Sequence, residues 1–123
     1  MCRGFCKETQ KAPPNYYAVV QGVKVHMKVI NHLKASWFLL KDQDKYYLDV
    51  NSGNSMVSYC ITFELNSNEI SSYLAQGQQF INAFSSRVNR EQHPYTEREK
   101  ALKSETSDLI TIAIKDWNAN NKP

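Results

Sequence analysis

Three cysteines and three histidines are the side chains in this sequence best suited to chemistry, and their spacing limits what they can do. Cys2 and Cys6 form a C-x3-C pair with no second pair to complete it, so a tetrahedral zinc centre would have to recruit Cys60 and a distant histidine. The pattern reads as no metal site. An odd number of cysteines in a chain long enough to build its own core likewise reads as free thiols in a reducing compartment.

A cysteine nucleophile needs a histidine within hydrogen-bonding reach, and His26, His32 and His93 are the candidates. Cys60 falls in the polar phase of one strand-like run and His26 in the polar phase of another, so a suitable register would bring both to one face of a sheet. A small hydrolase or transferase using this Cys/His pair is therefore one reading. Asp42, Asp44 and Asp49 surround a single hairpin, where turn formation and solvation account for them. No glycine-rich phosphate loop, nucleophile elbow, H-E-x-x-H helix or dinucleotide fingerprint is present, and only 4 glycines are available to build one. The sequence leans away from an enzyme and calls for no cofactor.

Charge distribution gives two binding readings. From Met1 to Lys34 six basic residues face one acid, Glu8, although the net charge of the chain is only +3. Lys24, His26 and Lys28 would line a strand face to which Trp37 and Tyr47 add stacking surfaces, a pattern suited to RNA or single-stranded DNA. From Tyr46 to Ser86 there is no lysine or arginine, and Asp49, Glu64 and Glu69 are the only charges. Exposed helix faces ordinarily carry lysine and glutamate, whereas the centres of protein interfaces are depleted of charge because each ion must be desolvated on association. Ser72, Gln76, Gln79 and Asn82 on a helix, with Tyr46, Tyr47 and Tyr59 on the adjoining hairpin, are therefore the favoured partner-binding residues. Tyrosine supplies contact area at low entropic cost. The partner expected is another protein, and an inhibitor or a toxin-neutralising immunity protein would fit that role.

The elements that must position these residues follow from hydrophobic periodicity. Residues 1–14 are polar, end in Pro13-Pro14 and read as a flexible lead-in to a single domain over 15–123. Period-two alternation from Tyr17 to Val29 predicts a strand bent near Gly22, followed by strands at 35–40, 46–50 and 56–65. The short connections favour an antiparallel meander. Asn66-Ser67-Asn68-Glu69 is a capping box, and the apolar spacing beyond it predicts one helix as far as Asn89, with Gly77 on its apolar stripe. A second helix is expected from about Glu97 towards Trp117. Ile110, Ile112 and Ile114 also alternate as a strand would. The fold class expected is α+β, an antiparallel sheet of about four strands with two helices packed on one face.

The proportions of apolar and charged residues, 41% and 22%, exclude a wholly disordered tail. No run approaches the roughly twenty apolar residues a membrane span requires. A soluble, cytoplasmic protein with no membrane partner is the expectation.

Overall fold

The computed structural model describes residues 26–52 and 59–121, which form an α+β architecture. Four strands, β1 (Lys28–Leu33), β2 (Trp37–Asp42), β3 (Lys45–Asn51) and β4 (Cys60–Glu64), pair antiparallel in the order β1-β2-β3-β4. Four helices follow: α1 (Ser67–Gln76), α2 (Gln78–Glu91), α3 (His93–Glu99) and α4 (Ser104–Asn120). The lead-in at 1–14 and most of the predicted first strand lie outside the described residues.

The meander is built from tight turns. Ser36 N–H donates to the Leu33 carbonyl at 2.9 Å, closing the β1–β2 turn with Ala35 at φ 62°. Asp42 opposes Lys45 across the β2–β3 turn, where Gln43 sits at φ 60°. Beyond the turns, register places side chains in rows across the sheet. Lys28, Lys41, Tyr46 and Leu65 form one such row, and Val29, Leu40, Tyr47 and Glu64 form the next on the opposite face.

Both faces are covered, which departs from the expected one-sided arrangement of two helices. Trp37, Leu39, Tyr46, Leu48, Val50, Ile61 and Phe63 pack against Ile81, Phe84 and Val88 of α2 and Tyr95 of α3. Ile70 and Tyr73 of α1 close the same layer. On the other face Phe38, Leu40 and Tyr47 meet Ile110, Ala113 and Ile114 of α4. Trp117 completes that contact, its ring 4.3 Å from His32 and 5.5 Å from Phe38 between centroids. The physical reason is visible in Trp37-Phe38-Leu39-Leu40: successive strand residues point to opposite faces, so an unbroken apolar run needs a cover on each.

Three boundaries also differ from expectation. The helix predicted from 66 to 89 is two helices meeting at Gly77, whose backbone lies at φ 68°, ψ −146°. The predicted second helix is also two, α3 and α4, with Pro94 in the first turn of α3. The alternating isoleucines lie in α4, where Ile110, Ala113 and Ile114 are buried at helical spacing and no strand forms. A Cβ added at Gly77 would meet nothing within 4 Å, so only the backbone conformation resists a side chain there. Gly77→Ala is expected to cost about 1–2 kcal/mol, measurable as a lower urea midpoint with an unchanged slope.

Candidate partner-binding surface

The surface formed by α1 and α2 begins at a firmly capped helix end. Asn66 Oδ1 accepts the Glu69 N–H at 2.8 Å, and Glu69 Oε1 accepts the Asn66 N–H at 2.9 Å, completing the capping box that the sequence predicts. Glu69 also takes two donors from Arg98 of α3, at 2.7 and 2.8 Å. The same guanidinium donates to the Glu64 carbonyl at 2.7 Å and lies 4.6 Å from the centre of the Phe63 ring. One arginine thus ties the start of α1 to the end of β4 and to α3. Paired hydrogen bonding to Glu69 strengthens the proton's hold on Arg98.

Further along, Gly77 N–H donates to the Tyr73 carbonyl, ending α1, and α2 leaves in a new direction. Gln78 Nε2 donates to the His32 carbonyl at 3.1 Å, and Trp37 Nε1 donates to Asn82 Oδ1 at 3.0 Å. These bonds seat α2 on the sheet through neutral side chains. Tyr73 bonds the Asn31 amide through its hydroxyl at 3.4 Å and tilts against Tyr46, 6.2 Å between centroids.

The outward side of this pair is free of charge from Ile70 to Ser86, and the end of α2 beyond it carries exposed Arg87, Arg90 and Glu91. Residues 70–86 contain no acidic or basic side chain, and Ser71, Leu74, Ala75, Gln76, Gln78, Gln79, Asn82, Ala83 and Ser86 are exposed. Leu74 is 67% exposed, the larger exposure of the two large hydrophobic side chains that reach solvent among the described residues. The other, Leu33, follows the residue whose carbonyl Gln78 holds. Leu74 escaped sequence reasoning because the helical spacing that predicts α1 assigns it to the core stripe. The break at Gly77 releases that stripe after the 10 residues of α1.

The sequence-predicted site residues divide. Gln76, Gln79 and Asn82 are exposed on the surface just described, and Ser72 is half-buried at its margin. Tyr46 and Tyr47 are 8% and 4% exposed and point to opposite faces of β3, so both belong to the core. Tyr59 is half-buried, its hydroxyl donating to Gln92 Oε1 at 2.9 Å. Of the residues considered for nucleic acid, Lys24 lies outside the described residues, while His26 and Lys28 are exposed. Trp37 is fully buried and presents no ring to stack on.

Nor does the Cys/His pair assemble. Cys60 is disulfide-bonded, which removes the thiolate a nucleophile requires and departs from the expected free thiol. Cys2 and Cys6 lie outside the described residues. In addition, β1 and β4 are opposite edges of the described sheet, so three strand spacings, about 14 Å, separate Cys60 from β1, which holds His32 and follows His26. Asp49 is fully buried and accepts from Thr62 Oγ1 at 3.0 Å, away from Asp42 and Asp44 at the turn. Among the described residues no group of three or more histidine, cysteine or acidic side chains converges as a metal site would require, and no helix is long and apolar enough to cross a membrane.

Acidic groups gather instead on the α4 face, around Tyr47. Burial of its ring first, then the nearby Glu64 and Asp42 carboxylates, hold the Tyr47 phenol above its ordinary value of 10.0. Burial acts in the same direction on Tyr95. An unfolded tyrosine ionises near its ordinary value while these two resist, so their contribution to stability is intact below about pH 10 and is lost as pH rises through the raised values. Urea titrations between neutral and strongly alkaline pH should show stability falling above that point, and Tyr47→Phe should flatten the fall. An identical slope in the variant would contradict the assignment. Comparison of the chain with protein-family models, curated proteins and solved structures gives no match.

Proposed function

We propose that this chain is a protein-binding module that acts by forming a complex through the outward face of α1 and α2. The single observation that carries the reading is an uncharged surface over residues 70–86 with Leu74 standing in solvent within it. Docking such a surface desolvates amides and hydroxyls that can both donate and accept, and no buried ion has to be compensated. Covering Leu74 would return about 1–2 kcal/mol. Inhibition or neutralisation of the bound protein, as by an immunity protein, is the form of activity that complex formation alone can deliver.

Nucleic-acid binding is the weaker reading, because base stacking needs exposed rings and Trp37, Tyr46 and Tyr47 are all buried. The Cys60 hydrolase reading lacks its thiolate, because Cys60 is disulfide-bonded.

The test is charge placed on the surface. Leu74→Glu combined with Gln79→Glu should weaken binding to a partner purified on the parent protein by about a hundredfold, since two unpaired carboxylates would be desolvated. Asp116→Lys, on exposed α4, should leave it unchanged. Equal affinity of the double variant and the parent protein would refute the assignment. Both substituted side chains are exposed, so the folded state should keep its circular dichroism spectrum.

A further inference from the structure

The chemistry of the partner can be narrowed, on the reading that α1 and α2 bind protein. Lys28 and Lys41 are directly opposite each other in the β1–β2 ladder. Lys41 is in turn opposite Tyr46, its ammonium 5.3 Å from the centre of that ring. Tyr46 and its neighbours Leu39 and Leu48 face α1 and α2, so both lysines project on that side of the sheet and not on the α4 side. Like charges at directly opposed strand positions repel. Neither ammonium has a carboxylate within ion-pairing distance among the described residues.

The acids at this end of the sheet are placed elsewhere. Asp42 and Glu64 alternate to the other face, around the Tyr47 phenol. Glu69, the acid of α1, is taken by Arg98 through two hydrogen bonds and by its own cap. Among the described residues the lysine pair therefore presents uncompensated positive charge on the side where α1 sits. It is continuous with α1 through Tyr46 and Tyr73, and Leu74 comes next in the chain.

We infer that the α1 face and the Lys28–Lys41 pair form one docking surface for an acidic protein segment, whose carboxylates meet the two ammonium groups while an apolar side chain covers Leu74. The surface sets charge complementarity beside an apolar anchor. An acidic segment would relieve the Lys28–Lys41 repulsion on binding, and opposite charges at the margin of a neutral centre accelerate encounter without requiring a buried ion. A nucleic acid would satisfy the lysines but would leave Leu74 against a phosphate backbone, and Trp37, Tyr46 and Tyr47 are buried and offer it no ring to stack on.

The probe is an amphipathic peptide of glutamate and leucine, titrated into the isotope-labelled full chain with backbone amide shifts as the readout. A peptide with glutamine replacing every glutamate and an oligothymidylate serve as comparisons. The acidic peptide should shift Lys28, Lys41, Tyr73 and Leu74, bind about tenfold more weakly when salt is raised from low to physiological strength, and lose about tenfold in the Lys28→Gln, Lys41→Gln variant. The glutamine peptide should bind the same helices at least tenfold more weakly. Equal binding of the two peptides at α1 and α2 would overturn the acidic-partner inference while leaving the protein-binding reading standing. Shifts confined to other surfaces with both peptides would overturn both. Oligothymidylate displacing the acidic peptide from the lysines would assign them to nucleic acid and overturn the inference alone.

Discussion

Trp37→Ala should destabilise the protein by about 4 kcal/mol, enough to remove a large part of the 5–15 kcal/mol typical of a domain this size. Trp37 is fully buried at the start of β2, among the side chains that α2 covers. Truncation leaves a cavity the size of an indole and removes the hydrogen bond from its Nε1 to the Asn82 amide oxygen at 3.0 Å. The Trp37→Phe variant separates the two contributions. It keeps much of the volume and loses the hydrogen bond, so a smaller cost of about 1–2 kcal/mol is expected from urea unfolding. A cost below about 1 kcal/mol for Trp37→Ala would mean that the side chain is not in the core, and would restore it as a candidate for base stacking.

Arg98→Ala is the second large effect. Arg98 and Glu69 are 31% and 14% exposed at the side chain, so water screens the pair only in part. Removing the arginine leaves a mostly buried carboxylate, an open Glu64 carbonyl and an uncovered Phe63 ring. About 2–3 kcal/mol is expected, below the value for a fully buried pair because of the remaining exposure. Glu69→Gln keeps the cap acceptor and should cost less. A double-mutant cycle between Arg98→Ala and Glu69→Gln should return a coupling of about 1 kcal/mol or more, and strictly additive costs would contradict the bidentate geometry. The consequence reaches binding: the clamp holds the first turn of α1, so Arg98→Ala should loosen the surface that carries Leu74 without altering any residue on it.

Local chemistry was legible in the sequence where one signal had no competitor. The capping box at Asn66 and Glu69 is such a case, because its two reciprocal hydrogen bonds depend on residues three apart. The meander was legible for the same reason, short polar connections allowing only antiparallel pairing. Around Lys28 the signals conflict. Alternation runs on to Val29, the pairing register then shifts between Val29 and Asn31, and β1 continues to Leu33 with His32 facing Phe38 and Trp117. A bulge exchanges the faces that period-two reading assigns.

The candidate surface was half legible. Absence of charge from 70 to 86 can be read directly, and Gln76, Gln79 and Asn82 are exposed as expected. The tyrosines misled because composition says nothing of which side of a strand is covered. Tyr46 and Tyr47 are consecutive, so one of them must face away from α2, and α4 buries that one. The second cover was written in the unbroken apolar run at 37–40. Exposure of Leu74 depends on the chain turning at Gly77, a backbone angle that helical spacing cannot report.

The central claim is that partners dock on α1 and α2. A photo-crosslinking amino acid placed at Leu74, at Gln79 and, as a control, at Asp116 on α4 tests it most directly in the full chain. One discrete protein adduct is expected from positions 74 and 79 and none from 116. Adducts of equal yield from all three positions, or none from 74 and 79, would contradict it.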